Sequence, residues 1–174
     1  MRRAGSFGAQ RDRGPVAGLP RTVSGMVYRF VVPGQPVPAA RARATVRGGF
    51  AKMYMPAENR KHETLVRAAL ARDLKGMTPI PPGVPVKMEV VFWFARPKSH
   101  FGTGKNADKL KSSAPVFHTS KPDVDNLMKL LKDGMAKIAW DDDRQVCEYG
   151  QIQKRYVDTT VTEPCTAVSF WEMT

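Results

Sequence analysis

The sequence predicts a single α/β (α+β) domain, in which two main helices pack against a mixed β-sheet. Apolar residues recur at helical spacing in two segments, which indicates two amphipathic helices. Short runs rich in valine and aromatic residues are separated by proline and glycine turns, which indicates several strands. The length of 174 residues suits one domain with its own hydrophobic core.

Four segments are predicted to form strands of the main sheet. Residues 27–32 (VYRFVV) form the first of them. Residues 86–96 contain a near-continuous apolar run, which favours a central strand buried on both faces. Residues 145–156 and 166–172 are the other two, and a separate hairpin is expected around Gly48-Gly49.

Two segments are predicted to form helices. The first begins at Pro56, because proline is favoured in the first helical turn, and it runs to about Lys75. The second covers residues 124–137. The expected buried positions are Leu65, Val66, Ala69, Leu70 and Leu74 in the first helix, and Leu127, Leu130, Leu131, Met135 and Ile138 in the second. The tryptophans Trp93, Trp140 and Trp171 are also expected in the core.

Residues 1–25 are predicted to be a disordered basic arm, and residues 26–174 to be the folded domain. The arm contains five arginines and one aspartate and has no apolar periodicity. Two alternatives remain open. Either the arm touches DNA, or Met26 is the natural start and the preceding residues come from an over-long gene prediction.

The net charge is the unusual feature of the composition. Lysine and arginine number 28 against 16 acidic residues, which gives a net charge of +12 and a pI near 10.1. Such a balance favours a polyanionic partner, with nucleic acid first and an anionic membrane surface as the alternative. The sequence has no apolar run long enough to cross a bilayer and no signal peptide pattern, so a cytoplasmic protein is expected.

Several basic residues are expected to contact DNA phosphates. A long loop, residues 97–116, is rich in lysine, and long loops in compact domains are usually functional or mobile. Each of these cations could equally be a solvated surface charge. The candidates are Arg41, Arg43, Lys98, Lys105, Lys109, Lys111 and Lys121.

Two acidic clusters flank the second predicted helix. Asp123 and Asp125 stand at its start, where capping and the helix dipole account for one or two carboxylates. Three further aspartates, residues 141–143, follow its end, where negative charge opposes the dipole. Either the helix ends before Asp141, or another group neutralises the cluster. A divalent cation would do so, and Mg²⁺ needs only one or two carboxylates besides water and substrate phosphate.

The two clusters cannot share a metal across a straight helix. A helix of about 14 residues spans roughly 21 Å. The chain is therefore expected to turn back after Ile138, so that the strand from about Gln145 runs alongside the start of the helix. Lys129 lies four residues after Asp125, where it either forms a weak surface ion pair or stabilises the scissile phosphate.

The segments KPDVDNLMKLLKDGM (121–135) and WDDDRQV (140–146) resemble the RusA-like Holliday junction resolvases of bacteria and their phages. That family has Asp-x-Asp-Asn-Leu, a lysine four positions after the second aspartate, and Asp-Asp-x-Gln after a helix. The opening VPGQPVPAARARAT also resembles the family's start, with Ala42 where the family usually has proline. The resemblance extends from about Val27 to Trp171.

The resemblance implies the roles of individual residues. Asp123, Asp125 and Asp143 would bind Mg²⁺, with Mn²⁺ as an alternative, and Lys129 would be the catalytic cation. Asp142 is a second-line metal ligand, and Asp141 receives no role because the family usually has an apolar residue there. The implied protein is a homodimer that resolves four-way DNA junctions in recombination and repair, in a bacterial cell or a phage-infected host.

Two rival functions follow from the residues. The first is a non-catalytic basic DNA-binding protein, whose aspartates serve only capping and solubility and whose DNA binding would be indifferent to Mg²⁺. The second is a metal-dependent nuclease that acts on other branched DNA, such as flaps.

Overall fold

The computed structural model describes residues 26–40, 43–47, 50–54 and 56–173. The predicted arm, residues 1–25, lies outside this range, so its disorder and the domain boundary remain predictions. The elements in chain order are β1 (Tyr28–Pro33), β2 (Arg43–Arg47), β3 (Phe50–Tyr54), α1 (Ala57–Asp73), β4 (Val86–Phe94), α2 (Val124–Met135), β5 (Val146–Tyr156) and β6 (Cys165–Glu172). Short 3-10 turns form at Lys98–His100, Gly104–Asn106 and Asp143–Gln145.

The main sheet has four strands in the order β1-β6-β4-β5. β4 pairs parallel to β5 and antiparallel to β6, while β1 pairs antiparallel to β6. The sheet is therefore mixed, as predicted. β4 occupies an inner position, and eight of its nine residues are buried, which confirms the central strand expected from its apolar run. β2 and β3 pair as a separate antiparallel hairpin, and its predicted glycine turn lies outside the described residues.

The two helices share one core with the sheet. Side chains of α1 (Val66, Leu70) and α2 (Leu127, Leu131) belong to the same buried cluster as Phe92 of β4. Successive β4 residues point to opposite faces, so Val91 and Trp93 join a smaller cluster on the other side. The core predictions hold for most positions, including all three tryptophans.

Close packing of the two helices depends on one glycine. A Cβ atom built at Gly134 would lie 2.8 Å from Cβ of Val66, so any larger residue would push the helices apart. The predicted position of Leu65 in the buried stripe is wrong, since Leu65 is 40% exposed and Asn59 and His62 are buried instead. Asn59 is satisfied there by two hydrogen bonds with the backbone of Ala40.

The predicted reversal of the chain after α2 is confirmed. Lys137 adopts a positive φ of 67°, and its N–H donates to the carbonyl of Trp140 at 2.7 Å. β5 then runs back along α2 toward its beginning. There Nζ of Lys154 donates to the carbonyl oxygens of Ser120 (2.6 Å) and Pro122 (2.7 Å), just before Asp123, the N-cap residue of the helix.

Candidate active site

A pocket of about 640 Å³ lies between α2, the turn that precedes β5, and β5 itself. Its walls combine carboxylates and ammonium groups with a few apolar side chains. The lining residues are Val124, Asp125, Met128, Lys129, Lys132, Asp133, Asp143, Tyr149 and Ile152. Three of the four predicted catalytic residues, Asp125, Lys129 and Asp143, therefore face one cavity.

The α2 side of the pocket is a single helical stripe. Asp125, Lys129 and Asp133 follow one another at four-residue intervals, which places them on one face of the helix. Among the described residues, no ion pair joins Lys129 to Asp125. The surface-pair interpretation of Lys129 therefore has no contact to support it.

Asp143 reaches the pocket from a short 3-10 turn whose ends are firmly held. Asp142 caps this turn by accepting a hydrogen bond from the N–H of Arg144 at 2.9 Å. The side chain of Gln145 is buried and ties the turn down, since its Oε1 accepts from the N–H of Asp141 and its Nε2 donates to the carbonyl of Pro81. The Asp-Asp-x-Gln element is therefore a structural unit that fixes where Asp143 stands.

The carboxylate of Asp143 has a different partner on each oxygen. The indole N–H of Trp140 donates to Oδ1 at 3.1 Å. Nζ of Lys132 lies 4.0 Å from Oδ2. Asp133 stands near this carboxylate, and burial together with the charge of Asp143 raises the pKa of the Asp133 carboxyl above its ordinary value.

Lys132, Asp133 and Tyr149 are pocket residues that the sequence analysis missed. Burial opposes the charge on Lys132, but a hydrogen bond with Tyr149 and the carboxylates of Asp143 and Asp133 outweigh it and raise the pKa of the ammonium. Nζ of Lys132 also lies 5.8 Å from the centre of the Tyr149 ring. The spacing of Asp133, eight residues after Asp125 on the same face, is the signal that could have identified it.

A β-bulge brings Tyr149 into the pocket. Met88 pairs with Tyr149 and Val90 pairs with Ile152, so two steps along β4 correspond to three along β5. In a regular strand, Tyr149 and Ile152 would face opposite sides of the sheet, because they are three residues apart. The extra residue in β5 lets both side chains face α2. Gly150 lies in the bulge, where any side chain would collide with the carboxylate of Glu89.

Two predicted metal ligands do not line the pocket. Asp123 is the N-cap residue of α2, but its side chain makes no capping hydrogen bond, so capping does not account for this carboxylate. Asp142 is engaged with Arg144, whose hydrogen bonds hold the pKa of the Asp142 carboxyl below its usual range. Asp141 forms an ion pair with Lys137 at 2.7 Å.

The donor chemistry of the pocket suits Mg²⁺, although the described residues contain no complete ligand set. Across residues 26–40, 43–47, 50–54 and 56–173, no three His, Cys, Asp or Glu side chains stand close enough together to hold a metal ion. Asp123, Asp125 and Asp143 are thus not brought together as a trio. Mg²⁺ usually keeps several waters and needs only one or two carboxylates besides substrate phosphate. The pocket offers the carboxylates of Asp125, Asp133 and Asp143 as candidates for these one or two positions.

The predicted DNA-contacting lysines are exposed. Lys98, Lys105, Lys109 and Lys121 present their side chains to solvent. Lys111 is exposed too, but its ammonium donates to the carbonyl of Ser99 at 2.8 Å and so helps to fold the loop. Arg41 lies outside the described residues. Arg43 lies in β2, but its side chain is likewise outside the described part.

His118 packs against two aromatic rings. Its ring stacks on Phe94 at a centroid distance of 4.0 Å and lies 5.0 Å from the ring of Tyr156. Burial and the nearby charge of Lys154 lower the pKa of its imidazole. His118 thereby anchors the segment that leads to Asp123.

A basic protein with carboxylates and lysines around one pocket has the groups that a phosphodiester-cleaving enzyme requires. The sequence matches the family model described as Endodeoxyribonuclease RusA over residues 33–163. The chain therefore belongs to the RusA endodeoxyribonuclease family. Membership in this family supports an endonuclease that acts on branched DNA junctions.

A similar curated protein is the uncharacterized protein YqaN of Bacillus subtilis (strain 168). It is 33% identical over 128 residues, which cover 74% of this chain and 87% of that protein. No helix among the described residues is long and apolar enough to cross a membrane.

Proposed function

We propose that this chain is a Mg²⁺-dependent endodeoxyribonuclease that resolves Holliday junctions and related branched DNA by paired phosphodiester hydrolysis. Mn²⁺ is the expected substitute for Mg²⁺, and recombination and repair in the cytoplasm of a bacterial or phage-infected cell are the proposed setting. One observation carries the proposal. Asp125 and Lys129 of α2 face the same pocket as Asp143, which comes from a different part of the chain.

Each pocket group has a proposed task in hydrolysis. Asp125 and Asp143 would hold the metal. Asp123, at the start of α2, stands outside the pocket, and its side chain would have to turn toward the metal to complete the ligand set. A bound divalent cation supplies a more acidic water and neutralises charge on the phosphoryl group. Lys129, which has no ion-pair partner in Asp125, is available to contact the scissile phosphate.

Asp142 is the weaker member of the proposed ligand set. Both of its carboxylate oxygens already accept hydrogen bonds from the Arg144 guanidinium, at 2.9 Å and 3.3 Å. A metal bound there would compete with this ion pair and with the cap of the 3-10 turn. We therefore retain Asp142 only as a second-line candidate.

The proposed assembly is a homodimer on a four-way junction. Two matched active sites suit the two-fold symmetry of such a substrate, because resolution needs two symmetric cuts. The exposed lysines of the loop and Lys121, together with Arg41 and Arg43, would contact phosphates, which bind DNA without reading its sequence.

Asp143→Asn tests the proposal most directly. The change keeps the size of the side chain and removes one charge, so metal affinity and cleavage should be lost while junction binding survives. The assay is cleavage of a four-way junction and of linear duplex, with and without Mg²⁺, beside a binding gel in the absence of metal. A variant that still cleaves at nearly the wild-type rate excludes Asp143 from the site.

Asp141→Asn is the matched control for this experiment. It removes the same charge two positions away, but Asp141 pairs with Lys137 and does not line the pocket. Its cleavage rate should therefore equal that of the wild type. If the wild type binds the junction equally well with and without Mg²⁺ and never cuts it, the chain is a non-catalytic DNA-binding protein. Preferential cutting of flaps would instead establish the other rival.

A further inference from the structure

Trp140 connects the hydrophobic core to the candidate active site. Its side chain is fully buried, and its ring meets Phe170 edge to face at a centroid distance of 5.5 Å. Packing therefore fixes the orientation of the indole. The indole N–H points at Oδ1 of Asp143, 3.1 Å away.

This contact leaves the second oxygen of Asp143 for the pocket. Oδ2 lies 4.0 Å from Nζ of Lys132, which also contacts Tyr149. A positive charge thus already stands on the pocket side of the carboxylate. A carboxylate with one oxygen held by a rigid donor has little freedom to rotate, so its other oxygen keeps a fixed direction.

We propose that Trp140 is a positioning residue for divalent cation binding. Its indole N–H holds Oδ1 of Asp143, so that Oδ2 faces the cation in the pocket. Lys132 supplies the positive charge beside Oδ2 when no cation is bound. The inference rests on the proposed function, because it assumes that Asp143 binds the metal.

The chain provides an internal comparison in Trp93. This tryptophan is also almost completely buried, but its indole nitrogen has no hydrogen-bond partner among the described residues. It lies in β4, under the guanidinium of Arg155 at 5.0 Å, on the face of the sheet away from the helices. Trp93→Phe therefore removes the same atoms as Trp140→Phe without disturbing a predicted metal ligand.

The experiment compares these two variants with the wild-type protein. Binding of Mn²⁺ alone is measured from the loss of the free Mn²⁺ signal in electron paramagnetic resonance. Trp140→Phe should bind Mn²⁺ roughly 10–100-fold more weakly, the range found when a group that orients a ligand is lost. Single-turnover cleavage should need correspondingly more Mn²⁺ and recover as Mn²⁺ is raised, whereas Trp93→Phe should retain wild-type affinity.

A second replacement keeps the test valid if Trp140→Phe does not fold. Incorporation of 3-benzothienylalanine at position 140 replaces the indole N–H by sulfur and preserves the shape of the ring. Weaker Mn²⁺ binding by this protein, with an unchanged melting temperature, supports the inference.

Two results overturn the inference in distinguishable ways. If the wild type binds Mn²⁺ and cuts junctions, and both position-140 variants bind Mn²⁺ within twofold of Trp93→Phe, Trp140 does not position Asp143 and the proposed function stands. If the wild type neither binds Mn²⁺ nor cuts, the proposed function fails and the inference fails with it.

Discussion

Replacing Lys129 distinguishes between its two possible roles, a weak surface ion pair with Asp125 and a catalytic cation. Lys129 is exposed on α2 and lines the pocket, and no ion pair joins it to Asp125 among the described residues. Lys129→Met should therefore change the free energy of unfolding by no more than about 0.5 kcal/mol, as is usual for surface substitutions. For a chain of this size that corresponds to a melting temperature shift of about 1–2 °C.

The expected effect on catalysis is far larger. A preorganised donor that stabilises charge in the transition state is worth a factor of about 10²–10³ in rate. Junction affinity should hardly change, because Lys129 is one phosphate contact among many. Lys129→Arg should remain impaired, since its broad planar fork replaces a compact ammonium in a pocket crowded by Asp125 and Asp133.

The assay is single-turnover cleavage of a pre-bound four-way junction at saturating Mg²⁺, with a melting curve for each protein. Lys137→Met is the matched control. It removes the same charge, but Lys137 pairs with Asp141 and its side chain is 71% exposed, outside the pocket. If Lys129→Met cleaves as fast as Lys137→Met, Lys129 is a surface residue and its catalytic assignment is refuted.

Two further predictions concern salt and pH. The logarithm of the junction affinity should fall linearly with the logarithm of the salt concentration. Lys105→Gln and Lys109→Gln each remove one phosphate-binding charge, so each should reduce the slope by about 0.9. Unchanged slopes would show that this loop does not contact DNA. Burial lowers the pKa of the His62 imidazole. The pKa of the His118 imidazole is lowered mainly by burial and also by the nearby charge of Lys154. The folded state therefore favours the neutral form of both side chains. Their contribution to stability should be complete above the unfolded pKa of 6.5 and be lost as the pH falls through 6.5 toward the lower folded values. Urea unfolding at pH 7.5 and 5.5 checks this, and His118→Leu should weaken the dependence; stability that rises on acidification would contradict it.

The helices and the central strand were predictable because their signals are local. The apolar stripe of α2 alone specifies which face is buried, and four of its five predicted positions, Leu127, Leu130, Leu131 and Met135, are fully buried in the structure. The prediction that Leu65 is buried was wrong because of the tertiary packing. It lies four residues before Ala69, at helical spacing, but the buried face of α1 carries Asn59 and His62 instead.

The second half of the pocket was not predictable from local patterns. Tyr149 faces α2 only because a bulge shifts the register between β4 and β5, and strand alternation alone gives no position for such an extra residue. Gly150 is consistent with the bulge afterwards, but a single glycine in a strand has several explanations. The surroundings of the Lys132 ammonium depend on the same register shift, because the shift places the Tyr149 ring beside it.

Asp141, Asp142 and Asp143 show how far identical residues diverge once the chain is folded. The sequence presents three adjacent carboxylates with the same charge and the same side chain. Asp141 neutralises Lys137, Asp142 caps the turn and holds Arg144, and Asp143 alone turns into the pocket. What separates them is the geometry of one 3-10 turn, fastened at Gln145 to the loop before β4. The third aspartate is thus available for chemistry because its two neighbours and Gln145 serve the structure that aims it.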